Sequence, residues 1–411
     1  MGDEIQIRQV GESEMARFRD AIGVVFAFEP HPDDLPGFTG WVEADRSMVA
    51  VDGDAFVATG GACTYRMAVP GGGLVPAGGL TLITVHPTHR RRGLLRRMIS
   101  LHFDDARKRG EPVSILWASE SSIYGRFGYG MAVGGRDLTV ARAHGRLRGD
   151  IPAAAGVVRL HDVDDARPLI RSVHHAATID AGIPGSIERR EADWERYFSD
   201  PEHRRDGATR RHYAVYHRDG VPRGYASYRL KSVWGAGGPE GTVVVLDLHA
   251  VDGEAYAALW RYLFSIDLML KIEAQNRPPH DALYSLLEDP RRIEAAGYDA
   301  LWVRVLDVEA ALASRRYQVE GTLVLEVADQ FRPECGGRYR LAGGPDGATC
   351  QRTEDPADLV IPIEHLGAAY LGAPRLASLG WLGLVKGDPE ALALAHLMFA
   401  WQPPPEVSVH F

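Results

Sequence analysis

Residues 90–93, Arg-Arg-Arg-Gly, are the part of this chain whose residue types and spacing most strongly indicate chemistry. They follow an apolar, partly β-branched run over residues 80–85, which predicts a strand, and Pro87 ends that strand because it has no N–H to donate. From Leu94 onward the apolar residues recur at helical spacing. Backbone N–H groups and the positive end of a helix dipole meet at such a turn, which therefore favours an anion such as a pyrophosphate.

A solvated basic helix start is the alternative interpretation of an arginine triplet taken alone. Acidic residues are preferred at a helix N-terminus, so three arginines are unfavourable there unless an anion neutralises them. An anionic ligand is the simplest reason for their accumulation.

The composition indicates a soluble, globular chain of two or three domains, with 411 residues of which 45% are hydrophobic. The formal charge of −9 argues against nucleic-acid binding and is compatible with a cationic small molecule. The N-terminus lacks an apolar signal core and no long apolar run follows, which predicts a cytoplasmic protein with no membrane partner. Three cysteines, Cys63, Cys335 and Cys350, have no metal-like spacing and predict neither disulfides nor a metal site.

Two segments carry a resemblance to a known family. Arg90 and Gly93 match the acetyl-CoA signature of the GNAT N-acetyltransferases, Arg/Gln-x-x-Gly-x-Gly/Ala, although Leu95 departs from its last position. The longer string of residues 86–95, and residues 119–130, resemble the Eis-type aminoglycoside acetyltransferases. The resemblance implies acetyl-CoA as co-substrate and a primary amine as acceptor.

The resemblance also implies how the coenzyme would be held. The central strand would diverge from its neighbour, so that backbone groups of Ile83 and Val85 meet the pantetheine arm. The N–H of Leu82 or its neighbour would face the developing oxyanion. The predicted cofactor-binding residues are Leu82, Ile83, Thr84, Val85, Arg90, Arg91, Arg92, Gly93, Leu94 and Ser119.

Tyr124 is a candidate general acid, because it matches the Eis-type tyrosine that protonates the coenzyme thiolate. Hydrogen-bonded packing is the alternative for a tyrosine in such a turn. Tyr129 is assigned to packing under the cofactor.

The C-terminus ends with a proline run and alternating apolar residues, which predicts a tethered final strand rather than a frayed tail. In Eis-type enzymes the terminal α-carboxylate is the general base, and Phe411 matches that position. A carboxylate of pKa about 3.5 is a weak base, so burial would have to raise its pKa, or it would mainly bind the ammonium. Ordinary packing of Phe411 is the alternative, and neighbouring His410 has no assigned role.

Three carboxylates after the first helix are candidates for receiving a cationic substrate. Residues 4–10 predict a strand, and a capped helix is expected from Ser13 to about Phe26. The proline-rich loop that follows carries Glu29, Asp33 and Asp34, for which solvated loop carboxylates are the alternative interpretation. Residues 47–69 then predict two strands joined at residues 52–54.

Residues 151–300 predict a repeat of the first domain without its chemistry. Residues 242–263 can be laid over residues 79–100, and Gly297-Tyr298 over Gly128-Tyr129. In place of an arginine triplet, the second segment has Asp252 and Glu254 followed by the uncharged Ala255, Tyr256 and Ala257, and the two acidic charges repel pyrophosphate. We therefore expect a duplicated domain that has lost its cofactor.

The last part of the chain predicts strands at 321–327, 338–341 and 358–363 and helices near 364–378 and 388–399. It resembles the sterol-carrier-protein-like domain of Eis-type proteins. A lipid-binding carrier is thus a hypothesis of another class, although apolar residues at helical spacing more often build a domain's own core.

The predicted fold class is α/β (α+β mixed), with a GNAT catalytic domain at 1–150, a degenerate GNAT-like domain at 151–300 and a sterol-carrier-protein-like domain at 301–411. The predicted function is acetyl-CoA-dependent N-acetylation of aminoglycoside-like polyamines, at one or several amines. Acetylation of protein or peptide lysines is the alternative. The resemblance also suggests a homo-hexamer.

Overall fold

A computed structural model describes residues 5–373 and 376–411. The chain forms two compact units. The first unit comprises residues 1–133, 182–196 and 299–411, and the second comprises residues 134–181 and 197–298. The first unit is therefore assembled from three separate stretches of sequence.

The strands are β1 (Gln6–Gln9), β2 (Met48–Asp52), β3 (Ala55–Ala68), β4 (Leu74–Val85), β5 (Val113–Trp117), β6 (Gly130–Ala141), β7 (Val157–His161), β8 (His212–Arg218), β9 (Val221–Lys231), β10 (Trp234–Gly235), β11 (Gly238–Pro239), β12 (Gly241–Ala250), β13 (Met269–Arg277), β14 (Ile293–Val305), β15 (Gly321–Ala328), β16 (Gly337–Gly344), β17 (Gly347–Arg352), β18 (Leu359–Pro362) and β19 (Lys386–Gly387). The α-helices are α1 (Met15–Phe26), α2 (Leu35–Trp41), α3 (Leu94–Lys108), α4 (Ser121–Tyr124), α5 (Val163–Thr178), α6 (Glu191–Phe198), α7 (Gly253–Ser265), α8 (Leu283–Leu286), α9 (Val308–Ala313), α10 (Ile363–Ala369), α11 (Leu376–Trp381) and α12 (Pro389–Phe399).

The main sheet of the first unit has the order β1-β2-β3-β4-β5-β14. Strands β1 to β4 are successively antiparallel, β5 is parallel to β4, and the end of β14 from Leu301 pairs antiparallel with β5. Helix α3 is amphipathic, and its buried face includes Met98, Ile99 and Phe103. This arrangement confirms the strand, basic turn and helix expected around residues 80–108.

A second sheet in the first unit has the order β17-β16-β15-β18-β19, and α9 to α12 belong to the same C-terminal stretch. The expected strands are present, and β17 was missed. The prediction of one helix over 364–378 is wrong, because α10 ends at Ala369 and Gly372 follows with a φ of 93°. Positions 374 and 375 of that predicted helix lie outside the described residues.

The second unit has the strand order β6-β13-β12-β9-β8-β7. Strand β12 is parallel to β13 and antiparallel to β9, which repeats the relation of β4 to β5 and β3. Trp260 of α7 is buried in the core of this unit. The expected second strand-and-helix repeat is therefore present, but Gly297 and Tyr298 lie inside β14, so their proposed equivalence to the turn at Gly128 is wrong.

The first helix begins differently from the expectation. The capping interactions start at Gly11, whose N–H donates to Glu14 Oε2 at 3.0 Å, and not at Ser13. The beginning of the predicted first strand, Glu4, and the preceding N-terminal residues lie outside the described residues. The three cysteines are buried and free. Within the described residues, no helix combines the length and apolar character that crossing a bilayer requires.

Candidate active site

The central strand β4 diverges from one of its partners part-way along its length. It pairs with β3 from Leu74 to Val85, whereas its pairing with β5 extends only from Ala77 to Gly79. Leu82 has a φ of 55°, and the β3–β4 register shifts beside it. Among the described residues, none of β5 pairs with β4 beyond Gly79. Backbone groups on that edge of β4 are thus open to a ligand, as the family resemblance led us to expect.

Thr59 of β3 supports this divergence. Its Oγ1 donates to the carbonyl oxygen of Leu82 at 2.8 Å and lies 2.6 Å from Thr84 Oγ1. Gly60, the next residue, leaves space for the Ile83 side chain. A Cβ atom added at Gly60 would lie only 2.7 Å from Ile83 Cδ1. The sequence analysis did not identify Thr59. The Thr-Gly-Gly run at residues 59–61 of β3 is the sequence feature that could have indicated it.

A cleft of about 790 Å³ opens at the divergence. It is lined by Val25, Phe26, Ala27, Ile83, Thr84, Val85, His89, Arg90, Arg91, Gly93, Leu94, Leu95, Arg96, Ser119, Glu120, Ile123, Tyr124, Arg126 and Phe127. All the predicted cofactor-binding residues except Leu82 and Arg92 are among these. The sequence analysis did not identify Arg96 and Arg126, since neither belongs to the short signature.

The turn between β4 and α3 presents an anion-binding geometry. Gly93 caps the helix with a φ of 76°, and Arg91 also has a positive φ, of 63°. The first turn of α3 carries no acidic residue. The helical bond to the Gly93 carbonyl comes from the N–H of Arg97, so the preceding N–H groups have no helical acceptor. These groups and the arginines together favour a phosphate.

Arg92 points toward a different partner from its two neighbours. Its Nη1 lies 3.9 Å from Asp52 Oδ2, and the same carboxylate oxygen lies 2.9 Å from His89 Nε2. His89 Nδ1 in turn lies 2.7 Å from Thr88 Oγ1. Asp52 of β2 therefore fixes the turn through His89 and Arg92, while Arg90 and Arg91 line the cleft.

Tyr124 lies in the cleft wall at the end of α4 and is only 6% exposed. Burial, and secondarily the charge of Glu120, raise the pKa of its phenol to about 12. A phenol with this pKa stays protonated at neutral pH and can donate a proton to a developing anion.

Tyr129 is buried behind Tyr124, with the two ring centroids 5.9 Å apart. Its hydroxyl lies 2.7 Å from Ser114 Oγ, which lies at the same distance from His102 Nε2 and donates to the Gly78 carbonyl at 3.0 Å. Tyr129 does not line the cleft, in agreement with its expected packing role. Burial lowers the pKa of His102 to about 3, so this hydrogen-bonded chain is uncharged.

The C-terminal segment is held to the first unit by backbone and side-chain hydrogen bonds. Ser408 accepts from the Ile187 N–H through Oγ at 3.1 Å and from Arg189 Nη2 through its carbonyl at 2.9 Å. Trp117 Nε1 donates to the Val409 carbonyl at 3.1 Å. The predicted tethering is present, but the prediction of a strand is wrong, since residues 403–411 form no ladder with a neighbour.

Phe411 is buried, and its ring lies beside that of Tyr65. A Cβ at Gly79 would lie 2.7 Å from Tyr65 Cδ2 and 3.1 Å from Phe411 Cε2. The terminal residue therefore lies over the last pairing of β4 with β5, where the divergence begins. His410 packs on Trp117, and burial lowers the pKa of His410 to about 4.

Tyr65 is fixed by a buried polar network that the sequence analysis missed. Its hydroxyl donates to Asp193 Oδ1 at 3.0 Å, and Trp41 Nε1 donates to the same oxygen at 2.9 Å. Arg190 contacts Asp193 through Nε at 3.0 Å and Glu43 through Nη1 at 2.5 Å. Since residues 184–193 hold both Tyr65 and the C-terminal segment, that short stretch supports the region around Gly79.

The three loop carboxylates do not line the cleft. Glu29 and Asp33 are exposed, and Asp34 lies 3.1 Å from Arg19 Nη2. Among the described residues, no group of three or more His, Cys, Asp or Glu side chains is arranged to hold a metal ion.

The corresponding region of the second unit is closed. Asp252 accepts from the N–H of Ala255 at 2.8 Å and binds Arg223 at 2.7 Å, so the start of α7 is capped by protein. Strand β12 pairs with β13 only as far as Val245 and Ala274. Beyond that point Arg277 Nη1 donates to the Leu248 carbonyl at 2.8 Å and Arg277 Nε to Asp281 at 2.7 Å. Side chains thus occupy the divergence that is open beside β4.

The domain families agree with this geometry. Residues 6–132 and residues 185–305 each match an acetyltransferase (GNAT) domain family, and residues 308–407 match the sterol carrier protein domain family. The chain is therefore an N-acetyltransferase with two GNAT domains and a C-terminal sterol-carrier-protein-like domain. The GNAT fold implies acetyl-CoA as co-substrate and an amine as acceptor, and the open β4 edge and acid-free start of α3 fit that coenzyme.

Proteins that are similar over most of the chain identify its family among the GNAT acetyltransferases. An uncharacterized N-acetyltransferase of Streptomyces avermitilis is 46% identical over 360 residues, covering 87% of each chain. N-acetyltransferase Eis of Mycobacterium tuberculosis is 32% identical over 421 residues, covering 93% of this chain and 98% of its own. The chain belongs to the Eis-type GNAT N-acetyltransferases.

Solved structures share the fold over the whole chain. Eis1 from Mycobacterium abscessus has a TM-score of 0.83 at 28% identity and covers 99% of this chain and 100% of its own. A GCN5-related N-acetyltransferase from Anabaena variabilis has a TM-score of 0.85 at 17% identity with the same coverage, which shows the fold alone.

Proposed function

We propose that this protein transfers the acetyl group of acetyl-CoA to primary amines of aminoglycoside-like polyamines, at one or several positions. The observation that carries the proposal is the divergence of β4 from β5 after Gly79, beside an acid-free helix start and a buried tyrosine. These three features provide places for the pantetheine arm, the pyrophosphate and a proton donor.

The coenzyme would be held mainly by backbone and positive charge. The backbone of Ile83 and Val85 would hydrogen-bond the pantetheine arm, while Arg90, Arg91 and the N–H groups at the start of α3 bind the pyrophosphate. The left-handed conformation of Leu82 turns the backbone at the bend, which supports the proposal that an N–H near it faces the thioester oxygen. Coenzyme binding places the thioester against these fixed groups.

Tyr124 is proposed as the general acid. Its high pKa keeps the phenol protonated, and its position in the cleft wall supports donation of that proton to the coenzyme sulfur as the thioester bond breaks. The acceptor amine forms the new C–N bond and loses one proton.

The α-carboxylate of Phe411 is proposed to bind the acceptor ammonium and to take that proton, directly or through water. The location of Phe411 over Gly79 supports this role, because the carboxylate belongs to the residue that lies where β4 and β5 separate. The overall formal charge of −9 favours the approach of polycations.

We also propose the domain bounds given above, 1–150, 151–300 and 301–411, and a homo-hexameric assembly. Light scattering would measure the mass of the assembly and so test the hexamer.

The experiment is an acetyl-CoA assay with a panel of aminoglycosides, single-amine sugars and lysine-containing peptides. Free thiol is followed continuously, and the products are read by mass in steps of one acetyl group. Multiple acetylation of aminoglycosides with little reaction of peptides supports the proposal. Peptide acetylation alone would replace the substrate class with protein lysines. Absence of transfer with every amine, together with stoichiometric co-purified lipid, would overturn the proposal in favour of a lipid carrier.

A further inference from the structure

The segment that carries Tyr124 has little support of its own. We define the tyrosine turn as residues 124–130, which lead from the end of α4 to the start of β6. Helix α4 has only four residues, too few to form a stable helix alone. Within the turn the Gly128 N–H donates to the Gly125 carbonyl at 2.9 Å, whereas the Tyr129 N–H lies 3.4 Å from the Tyr124 carbonyl. The orientation of Tyr124 therefore depends on what packs against the turn from outside.

Gly128 lies directly on two side chains from the last stretch of the first unit. Its φ of 83° favours glycine, and a Cβ there would lie 2.5 Å from Arg304 Nη1 and 2.8 Å from Ile363 Cγ2. Arg304 belongs to β14, and Ile363 is the first residue of α10. These two side chains thus leave room for the turn only because Gly128 has none of its own.

The backbone of α10 approaches the end of the turn just as closely. A Cβ at Gly130 would clash with the Glu364 carbonyl oxygen and lie 2.5 Å from Ala368 N. Gly367 of α10 has no space for a side chain either, since a Cβ there would clash with the Val303 carbonyl and lie 3.4 Å from Gly130 N. Contact between backbones at this distance leaves the turn little freedom to shift against the helix.

A loop of the sterol-carrier-protein-like match packs on another part of the turn. We define the 329–334 loop as residues 329–334, which follow β15. Its Phe331 is buried, with its ring 5.1 Å from that of Phe127 and the two planes at 85°. Asp329 Oδ1 accepts from the N–H groups of Phe331 at 3.0 Å and Arg332 at 2.9 Å. The loop therefore presents the Phe331 ring to the turn in a fixed orientation.

Arg304 joins the loop to the turn through a buried ion pair. Its Nη2 binds Asp329 Oδ2, and both side chains are fully buried. Arg304 Nε and Nη1 find no hydrogen-bond partner in the part of the chain that the structure describes. Buried charges and unused donors cost free energy, and an apolar pair of similar volume is often as stable. Stability alone therefore does not explain this ion pair, whereas it fixes the place where the guanidinium meets Gly128.

We propose that Arg304 and Phe331 are positioning residues that hold the Tyr124 phenol toward the cleft. They contact Gly128 and Phe127 of the tyrosine turn, so they act through its backbone and not on the substrate. The proposal rests on the proposed role of Tyr124 as general acid. It gives the 329–334 loop of the sterol-carrier-protein-like domain a part in catalysis that is separate from that of the terminal carboxylate.

Steady-state kinetics of the full-length protein, with acetyl-CoA and the fastest-reacting acceptor of the amine panel, test the proposal. Arg304→Met combined with Asp329→Asn removes both buried charges, while the amide oxygen can still accept from the N–H groups of the loop. Its kcat should fall about tenfold with less than a threefold change in the KM for acetyl-CoA, because a displaced catalytic group slows the reaction without removing coenzyme contacts. Phe331→Leu should lower kcat by a similar factor at saturating acetyl-CoA.

The same substitutions in a Tyr124→Phe background separate positioning from damage to the fold. Residues that act only through the Tyr124 phenol should change kcat less than twofold in that background. Damage to the fold would lower kcat in both backgrounds. Phe264→Leu is the matched control, because Phe264 is buried to the same extent as Phe331, 8% exposed, in the core of the second unit. It should lower Tm and leave kcat unchanged.

If Arg304→Met with Asp329→Asn does not fold, Arg304→Lys takes its place, since an ammonium keeps the charge but lacks the planar group beside Gly128. A wild type that acetylates no amine contradicts the proposed function. Unchanged kcat in Tyr124→Phe overturns the role of Tyr124 and the positioning proposal with it.

Where Tyr124→Phe is impaired, two results overturn the positioning proposal alone. One is wild-type kcat in the folded Arg304 and Phe331 variants, and the other is an equal loss of kcat in both backgrounds. A loss of kcat in only one of the two variants overturns the role of the other residue.

Discussion

The rings of Tyr65 and Phe411 lie with centroids 5.0 Å apart and planes tilted by 51°, and both cover Gly79. A residue on β3 and the last residue of the chain thus meet over the point where β4 leaves β5. Tyr65 is held by Asp193, so the position of the terminal residue depends on a network formed by residues far from it in sequence.

Tyr65→Phe should lower kcat about fivefold with little change in the KM for acetyl-CoA, because it removes the hydroxyl that contacts Asp193 and Arg190 but keeps the ring beside Phe411. Trp41→Phe is the matched control, since Trp41 donates to the same Asp193 oxygen, whereas the ring beside Phe411 is that of Tyr65. Steady-state kinetics with a saturating amine measure both. If the two variants lower kcat equally, the loss of kcat comes from disturbing the hydrogen bonds of Asp193 and not from the contact between Tyr65 and Phe411.

Deleting Phe411, or extending the chain beyond it by a short Gly-Ser tag, should lower kcat about 100-fold or more while the protein stays folded. Phe411→Leu keeps a terminal carboxylate and should retain more activity than either change. The same tag at the N-terminus is the control. A fully active C-terminally extended protein would contradict the proposed role of the terminal carboxylate.

Tyr124→Phe should lower kcat about 100-fold and change the KM for acetyl-CoA less than threefold, because the phenol is proposed to act only as the bond breaks. With a pKa of about 12, the phenol should cause no loss of rate below about pH 11. Tyr129→Phe is the control, since Tyr129 does not line the cleft. It should lower Tm through the lost Ser114 contact but keep most of kcat. Unchanged kcat in Tyr124→Phe would remove this residue from the mechanism.

The three arginines of the turn should differ in their effects. Arg90→Ala and Arg91→Ala should each weaken coenzyme A binding about tenfold, as expected for lost charge-assisted contacts. Arg92→Ala should weaken it less than threefold, because Arg92 lies toward Asp52. Calorimetry should also give one coenzyme A per chain. Equal losses for all three variants would show that Arg92 turns into the cleft when the ligand binds.

Acid should destabilise the first unit through His102. The fully buried imidazole has a pKa near 3, whereas an unfolded histidine titrates near 6.5. The unfolded state therefore binds more protons, and the stability is complete above pH 6.5 and lost as the pH falls. The cost at pH 5 is about 2 kcal/mol. Thermal melts at pH 7 and pH 5 should show a smaller acid shift in His102→Gln, and an equal shift in both proteins would contradict this assignment.

Local sequence patterns were sufficient for the strand, turn and helix at the coenzyme site. Proline after an apolar run, arginines before a helix and a glycine cap act over a few residues, so these three elements could be predicted directly. Tyr124 and Phe411 needed the family resemblance, because nothing in their local sequence shows what they contact.

Long-range contacts account for the features that were missed. Thr59 meets Leu82 across a strand pair, and Asp193 meets Tyr65 across 128 positions of sequence. Glu29, Asp33 and Asp34 looked suitable for a cationic substrate, but they do not line the cleft, and Asp34 pairs with Arg19. The prediction of a single helix over 364–378 is wrong because the spacing of apolar residues does not show where a glycine in the left-handed conformation, such as Gly372, ends a helix.

Arg277 distinguishes the second GNAT domain from the first by what lies beside its central strand. A guanidinium bonded to the Leu248 carbonyl fills the gap beside β12, and Asp252 caps the start of α7. Arginines introduced at the start of α7 would leave the gap beside β12 filled by Arg277. Opening that gap would require replacing Arg277, which would break its buried ion pair with Asp281. The packing beside β12 therefore differs from that beside β4 in more than the loss of arginines.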